Sequence, residues 1–81
     1  MDKTLLKKGV RDVLAAVPPK RICTEAMIVA GLNQLVPFEV SQADARDAME
    51  WNQERGFIDY RYDTEREADS WFLTERGKAK G

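Results

Sequence analysis

The side chains best suited to contact another molecule lie in the segment from residue 41 to residue 55. If that segment is a helix, its outward face carries Gln42, Arg46, Asp47, Glu50 and, at its edge, Trp51. Glutamine and arginine hydrogen-bond to base edges and phosphates, whereas carboxylates are poor neighbours for phosphate. An exposed tryptophan often forms the centre of a protein interface, although it can equally pack as core. The segment therefore predicts a binding surface for another macromolecule.

Catalytic chemistry has little support in the composition. The chain contains no histidine, so imidazole bases, Ser-His or Cys-His pairs and His/Cys zinc sites are excluded. Its single cysteine, Cys23, has no partner for an internal disulfide and is typical of a small core residue in a reducing compartment. The five glycines are scattered and form no phosphate-binding loop. We therefore expect no enzyme activity, no cofactor and no bound metal.

Length and composition indicate one soluble domain over residues 1–81. The chain is 43% hydrophobic and 33% charged, with a formal net charge of −1. These values are typical of globular domains and give no overall attraction to nucleic acid or anionic lipid. No apolar run approaches the roughly 20 residues that a membrane span requires. We expect a cytoplasmic protein.

Periodicity divides the chain into three helices and a hairpin. Apolar residues at helical spacing predict a first helix over 1–17, ended by the two prolines at 18–19. Thr24 and Ser41 are N-cap residues for helices over 24–35 and 41–55. Alternation after the glycine at 56 then predicts a β-hairpin over 57–74, with a second strand at 71–73. The fold class predicted is α+β, a three-helix bundle with a C-terminal hairpin.

Several side chains also have predicted surroundings. Asn52 should face inward and satisfy a nearby backbone group, beside Ala45, Ala48 and Met49. We expect Tyr60 and Tyr62 to be half-buried and Trp71 and Leu73 to belong to the core. Residues 20–23 are candidates for an edge strand, and Thr74 for the cap of a last helical turn. A basic stripe on the first helix is predicted to be solvated: Lys3, Lys7 and Arg11.

Three short motifs in the second half of the chain resemble the wing hairpin of winged-helix transcription regulators. They are Gly56-Phe57-Ile58, Asp63-Thr64-Glu65-Arg66 and Leu73-Thr74-Glu75-Arg76-Gly77. The last is similar to the Leu-Thr-Glu-x-Gly ending of the wing in regulators of the multiple-antibiotic-resistance type. The resemblance implies a winged helix-turn-helix whose third helix enters the major groove while the hairpin contacts the minor groove or backbone. The implied contacts are Ser41, Gln42, Arg46 and Asp47 on the helix, with Glu50 at its edge, and Arg61 and Arg66 on the wing.

Charge is distributed unevenly along the chain. Residues 1–23 carry a net charge of +4, residues 41–56 carry −2, and residues 57–81 carry −1. A DNA-binding protein needs several cations on one surface to neutralise phosphates. If the fold brings them near Arg46, the first part of the chain supplies six such cations: Lys3, Lys7, Lys8, Arg11, Lys20 and Arg21.

Two hypotheses of different class follow. The first is a small DNA-binding accessory transcription regulator, acting on double-stranded DNA as a monomer or weak homodimer. The alternative is a winged helix used as a protein-interaction module without DNA binding, with Asp47, Glu50 and Trp51 as its contact residues. The acidic third helix and acidic wing tip favour the alternative, whereas the resemblance favours the first.

Overall fold

The computed structural model describes residues 3–18 and 21–80. Within these residues, three helices are followed by an antiparallel hairpin and a short terminal helix. The bounds are α1 Lys3–Ala15, α2 Glu25–Leu35, α3 Gln42–Glu54, β1 Ile58–Asp63, β2 Ala68–Leu73 and α4 Glu75–Lys80. The predicted α+β class and element order are confirmed. No described helix has the length and apolar character needed to cross a membrane.

The helix starts follow from the predicted capping residues. The Thr24 hydroxyl accepts a hydrogen bond from the Met27 amide at 3.4 Å, and Ser41 accepts one from the Asp44 amide at 3.1 Å. Each hydroxyl satisfies an amide that has no partner within the first turn. Gly56 follows α3 with φ +76°, a left-handed conformation that glycine adopts without steric cost.

The three long helices enclose one core. Buried apolar side chains come from α1, α2, α3 and β1, including Leu6, Val10, Ile28, Met49 and Ile58. The predicted inward face of α3 is confirmed, because its buried residues are Ala45, Ala48, Met49 and Asn52. Cys23 is also buried, at 1% exposure, as predicted.

The second strand of the hairpin is longer than the sequence predicted. Strand β2 begins at Ala68 rather than at Trp71, and its register runs from Ile58 opposite Leu73 to Asp63 opposite Ala68. Backbone pairing does not require apolar side chains, so the polar residues before Trp71 continue the ladder. The turn is confined to residues 64–67.

The tyrosines of β1 do not have the predicted burial. Tyr60 is 46% exposed and Tyr62 is 56% exposed, whereas Ile58 at the base of the same strand is 1% exposed. The hairpin extends beyond the helical body. The side chains on this face of β1 therefore contact the core only near the base of the hairpin. Trp71 and Leu73 are partly buried against the core, and the Trp71 ring lies 5.0 Å from that of Tyr60.

The segment before α2 is not a third strand. Lys20 lies outside the described residues, and residues 21–24 have no regular secondary structure. The Trp71 amide nevertheless donates to the Cys23 carbonyl at 2.8 Å, and the Cys23 amide donates to Ser70 Oγ at 3.3 Å. The segment is therefore attached to β2 by hydrogen bonds without forming the predicted edge strand.

Thr74 connects the end of the hairpin to α4. Its hydroxyl donates to the Gly56 carbonyl at 2.5 Å and accepts from the Gly77 amide at 3.0 Å, so it caps α4 as predicted. The Thr74 amide donates to the Phe57 carbonyl at 3.0 Å. A Cβ on Gly77 would collide with that same carbonyl oxygen, which requires glycine at this position. These contacts explain the Leu-Thr-Glu-x-Gly pattern in physical terms.

Candidate functional site

The outermost stripe of α3 is acidic. Its members are spaced by four, three and four residues, which places them on one face of a helix, and all are exposed: Ala43, Asp47, Glu50 and Glu54. None of its three carboxylates forms an ion pair with a described residue. We call these four residues the acidic stripe. It occupies the face of α3 that points directly away from the core.

Gln42 and Arg46, the two candidate base or phosphate contacts on α3, are held by a carboxylate from α2. Arg46 Nε donates to Glu25 Oε1 at 3.1 Å and Arg46 Nη2 donates to Glu25 Oε2 at 3.0 Å. Gln42 Nε2 donates to the same Oε2 at 2.9 Å. The hydrogen bond from Arg46, followed by that from Gln42, lowers the pKa of Glu25. Glu25 in turn raises the pKa of Arg46.

Local structure explains how Glu25 reaches α3. It is the first residue of α2, directly after the Thr24 cap, where the positive end of the helix dipole favours a carboxylate. The Arg46 side chain is 57% exposed and that of Glu25 is 26% exposed, so the pair lies on the surface. Sequence reasoning missed this contact because Glu25 and Arg46 are 21 positions apart and no local pattern links them.

Trp51 lies in a cleft between α1 and α3. The cleft has a volume of about 330 Å³, with Leu6, Ala48 and Trp51 as apolar lining and Asp47 and Glu50 among its acidic lining. The tryptophan is half-buried and its ring centroid lies 6.0 Å from that of Phe57. Trp51 is therefore both a packing residue and an accessible part of the surface.

Two cations approach the ring of Trp51. Lys7 Nζ lies 4.5 Å from the ring centroid and Arg55 Cζ lies 4.0 Å from it. Both distances are within the range of cation–π attraction. Lys7, a candidate nucleic-acid contact, therefore sits in the cleft beside the acidic stripe.

The prediction that Arg11 belongs to a solvated stripe is wrong. Arg11 is 7% exposed, and its Nη1 donates to Asn52 Oδ1 at 2.9 Å and to the Lys7 carbonyl at 3.3 Å. Its Nε atom is buried without a hydrogen-bond partner, and its guanidinium lies 5.4 Å from the Phe57 ring. Because its guanidinium is directed into the interior, Arg11 is not available to bind DNA.

The candidate cations of the hairpin occupy another part of the molecule. Arg66 pairs with Asp63 at 3.4 Å, and the guanidinium of Arg61 lies 5.6 Å from the Phe72 ring. Arg21 and Arg61 line one open groove of about 550 Å³ beside strand β1. Lys20, the remaining candidate, lies outside the described residues.

The predicted contact residues therefore form separate groups. Ser41 caps α3 beside Gln42 and Arg46, which share the α2 side of that helix. Lys7 lies on the opposite flank, in the cleft with Trp51. The acidic stripe runs between these two flanks. A flat nucleic-acid surface reaching both flanks would have to cross the carboxylates.

Comparison with known proteins identifies the fold. No protein-family model matches the sequence, and no curated protein matches it. A solved structure, that of a MarR-family transcriptional regulator from Silicibacter pomeroyi, superposes with a TM-score of 0.71 at 19% sequence identity. The alignment covers 93% of this chain and 44% of that one, so the chain spans less than half of the regulator's length. The chain has the winged-helix fold, and the resemblance of its hairpin to those regulators is confirmed at the level of structure.

Proposed function

We propose that this winged helix is a non-enzymatic protein-interaction module that uses the acidic stripe and the adjoining Trp51 cleft to bind a basic protein segment. The observation that carries the proposal is the sign of the charge on the outward face of α3. In DNA-binding winged helices this helix enters the major groove. Here that face has three carboxylates without an ion-pair partner among the described residues.

The Trp51 cleft supplies the apolar contact area that the carboxylates of the acidic stripe lack. Charged contacts at the edge of an interface contribute mainly to orientation and association rate, whereas buried aromatic residues dominate affinity. Trp51, Leu6 and Ala48 form an apolar lining directly beside Asp47 and Glu50. We therefore infer a partner segment that carries Lys or Arg along the acidic stripe and places one apolar side chain in the cleft.

DNA binding is the second candidate function. It is favoured by the likeness of the fold to that of a transcriptional regulator, together with the exposed position of Arg46 on α3. In this case Ser41, Gln42 and Arg46 would contact the duplex and Arg61 and Arg66 would contact it from the wing. Such a protein acts as an accessory regulator in the cytoplasm, as a monomer or a weak dimer.

Binding measurements with two defined probes separate the candidates. The first probe is a synthetic amphipathic peptide in which helical turns that contain Arg alternate with turns that contain Leu. It is titrated into the protein while tryptophan fluorescence is recorded. The second is a labelled duplex of about 20 base pairs, followed by anisotropy between 50 and 200 mM NaCl. We expect peptide binding that weakens at least tenfold in the triple variant Asp47→Asn, Glu50→Gln, Glu54→Gln.

A matched control neutralises the same number of carboxylates away from α3. The variant Asp12→Asn, Asp63→Asn, Glu75→Gln should keep the peptide affinity within about twofold, because these residues lie outside the cleft. If the wild-type protein instead does not bind the peptide, and binds the duplex with an affinity that falls steeply as the salt concentration rises, the DNA-binding candidate is correct.

A further inference from the structure

We propose that Glu25 is a specificity-determining residue that occupies the hydrogen-bonding groups of Gln42 and Arg46 and so withholds them from nucleic acid. This inference rests on the proposed function, because it explains how a winged helix with an arginine on α3 avoids DNA. The inference is based on one contact, in which the Glu25 carboxylate of α2 binds two side chains of α3, Gln42 and Arg46.

The geometry of the contact is bidentate. Nε and Nη2 of Arg46 donate to the two different oxygens of Glu25, at 3.1 and 3.0 Å. This is the same planar fork that arginine uses to bind guanine or a phosphate. While Glu25 is bound, that edge of the guanidinium is not available for either.

Gln42 is engaged by the same oxygen. Its amide nitrogen donates to Glu25 Oε2 at 2.9 Å, so one of its two N–H donors is occupied. Glutamine reads adenine through one N–H and the carbonyl oxygen of its side-chain amide, and the bond to Glu25 holds that amide toward α2 instead of toward a base. One carboxylate therefore occupies both of the α3 side chains that suit base recognition.

Displacing Glu25 does not remove its charge from the surface. The residue is fixed in the first turn of α2, after the Thr24 cap, so its carboxylate remains near Arg46 whether or not they are bonded. A phosphate that replaced it would face a second anion at short range and the carboxylate of Glu50 beyond, which already acts on Arg46. Exposed ion pairs are individually weak, so the effect of Glu25 is on selectivity more than on stability.

The test measures DNA affinity with and without the carboxylate. The starting protein is the triple variant Asp47→Asn, Glu50→Gln, Glu54→Gln, in which the acidic stripe no longer repels the duplex. Adding Glu25→Gln should strengthen binding to a labelled duplex of about 20 base pairs by about threefold to tenfold at 50 mM NaCl. The slope of log affinity against log salt should steepen by about one, because one further phosphate contact forms.

Two controls assign the gain to Arg46. Glu75→Gln in the same background removes one carboxylate from the exposed Lys78 pair on α4, so it reports the effect of net charge alone. Adding Arg46→Gln to the Glu25→Gln protein should abolish the gain. Circular dichroism confirms that each variant is folded before its affinity is compared.

Any one of three results overturns the inference: Glu25→Gln acts no more strongly than Glu75→Gln, every variant fails to bind the duplex, or Glu25→Gln weakens binding. The last result would make Glu25 a residue that positions Arg46 for DNA. The proposed function is judged separately, by peptide binding to the wild-type protein, so either idea can fail while the other stands.

Discussion

Arg11 on α1 donates to the side-chain oxygen of Asn52 on α3 at 2.9 Å, and both residues are buried. Asn52 Nδ2 in turn donates to the carbonyls of Lys7 and Ala48, at 3.0 and 2.8 Å. A polar group in the core is tolerated when its partners are present and is costly when one of them is removed. The pair joins the two helices that form the Trp51 cleft.

We therefore predict strong coupling between Arg11 and Asn52. Asn52→Leu should lower the free energy of unfolding by about 2–3 kcal/mol, because it removes the side-chain acceptor of a buried guanidinium, which then keeps only the Lys7 carbonyl. The double variant Arg11→Met, Asn52→Leu should lose clearly less than the sum of the two single changes. Urea unfolding measures each term, with Lys8→Met on the exposed side of α1 as a control that changes stability by less than about 0.5 kcal/mol. Strict additivity would contradict the coupling.

Gly77 and Gly9 should respond differently to alanine. A Cβ on Gly77 would meet the backbone carbonyl of Phe57, which cannot move without disturbing the hairpin, so Gly77→Ala should cost at least about 2 kcal/mol. A Cβ on Gly9 would lie 2.8 Å from Leu32 Cδ2, the end of a flexible side chain, and alanine has the higher helix propensity. We expect Gly9→Ala to change stability by less than about 1 kcal/mol. Thermal unfolding of both variants checks the order, and equal effects would show that the contact at Phe57 is not rigid.

Thr74 should stabilise α4 through its hydroxyl. Thr74→Val keeps the shape but loses the bonds to the Gly56 carbonyl and the Gly77 amide, so we expect a loss of about 1–2 kcal/mol. Thr74→Ser keeps the hydroxyl and should retain most of that stability. Hydrogen exchange at the Gly77 amide gives the local readout, since only the valine variant should accelerate it. Thr64→Val in the exposed turn serves as the control.

The contact between Glu25 and Arg46 should make a small contribution to stability that depends on pH. Because hydrogen bonds from Arg46 and Gln42 lower the pKa of Glu25 in the folded state, this contribution is complete above the unfolded pKa, about 4.3. It is lost as the pH falls through the lower, folded pKa. The stability difference between wild type and Glu25→Gln should therefore shrink between pH 6 and pH 2.

Carboxyl NMR titration provides the direct measurement. The pKa of Glu25 should rise toward its ordinary value in Arg46→Gln, whereas Lys78→Gln, which alters a different ion pair, should leave it unchanged. A pKa of Glu25 that does not respond to Arg46→Gln would show that the pair does not persist in solution. In that case Glu25 would not occupy the α3 side chains.

The local pattern of the chain was sufficient for the order and type of the main elements. Capping hydroxyls at Thr24 and Ser41, the left-handed glycine at 56 and the inward face of α3 all depend on neighbours within a few positions. The hairpin motif ending at Gly77 was also readable, because Thr74 caps the helix that follows it and only glycine fits beside the Phe57 carbonyl. Such short-range constraints can be predicted directly from the types and spacing of the residues.

Tertiary packing decided what those elements present to another molecule. Residue spacing does not predict that Arg11 is buried and hydrogen-bonded to Asn52. Nor does it predict that Glu25 accepts hydrogen bonds from Gln42 and Arg46, or that Tyr60 is exposed. Each of these outcomes depends on groups brought together by the crossing of helices or by the reach of the hairpin. A charged side chain has the same local sequence signal whether it is solvated or paired, and only the position of its distant partner determines which state it takes.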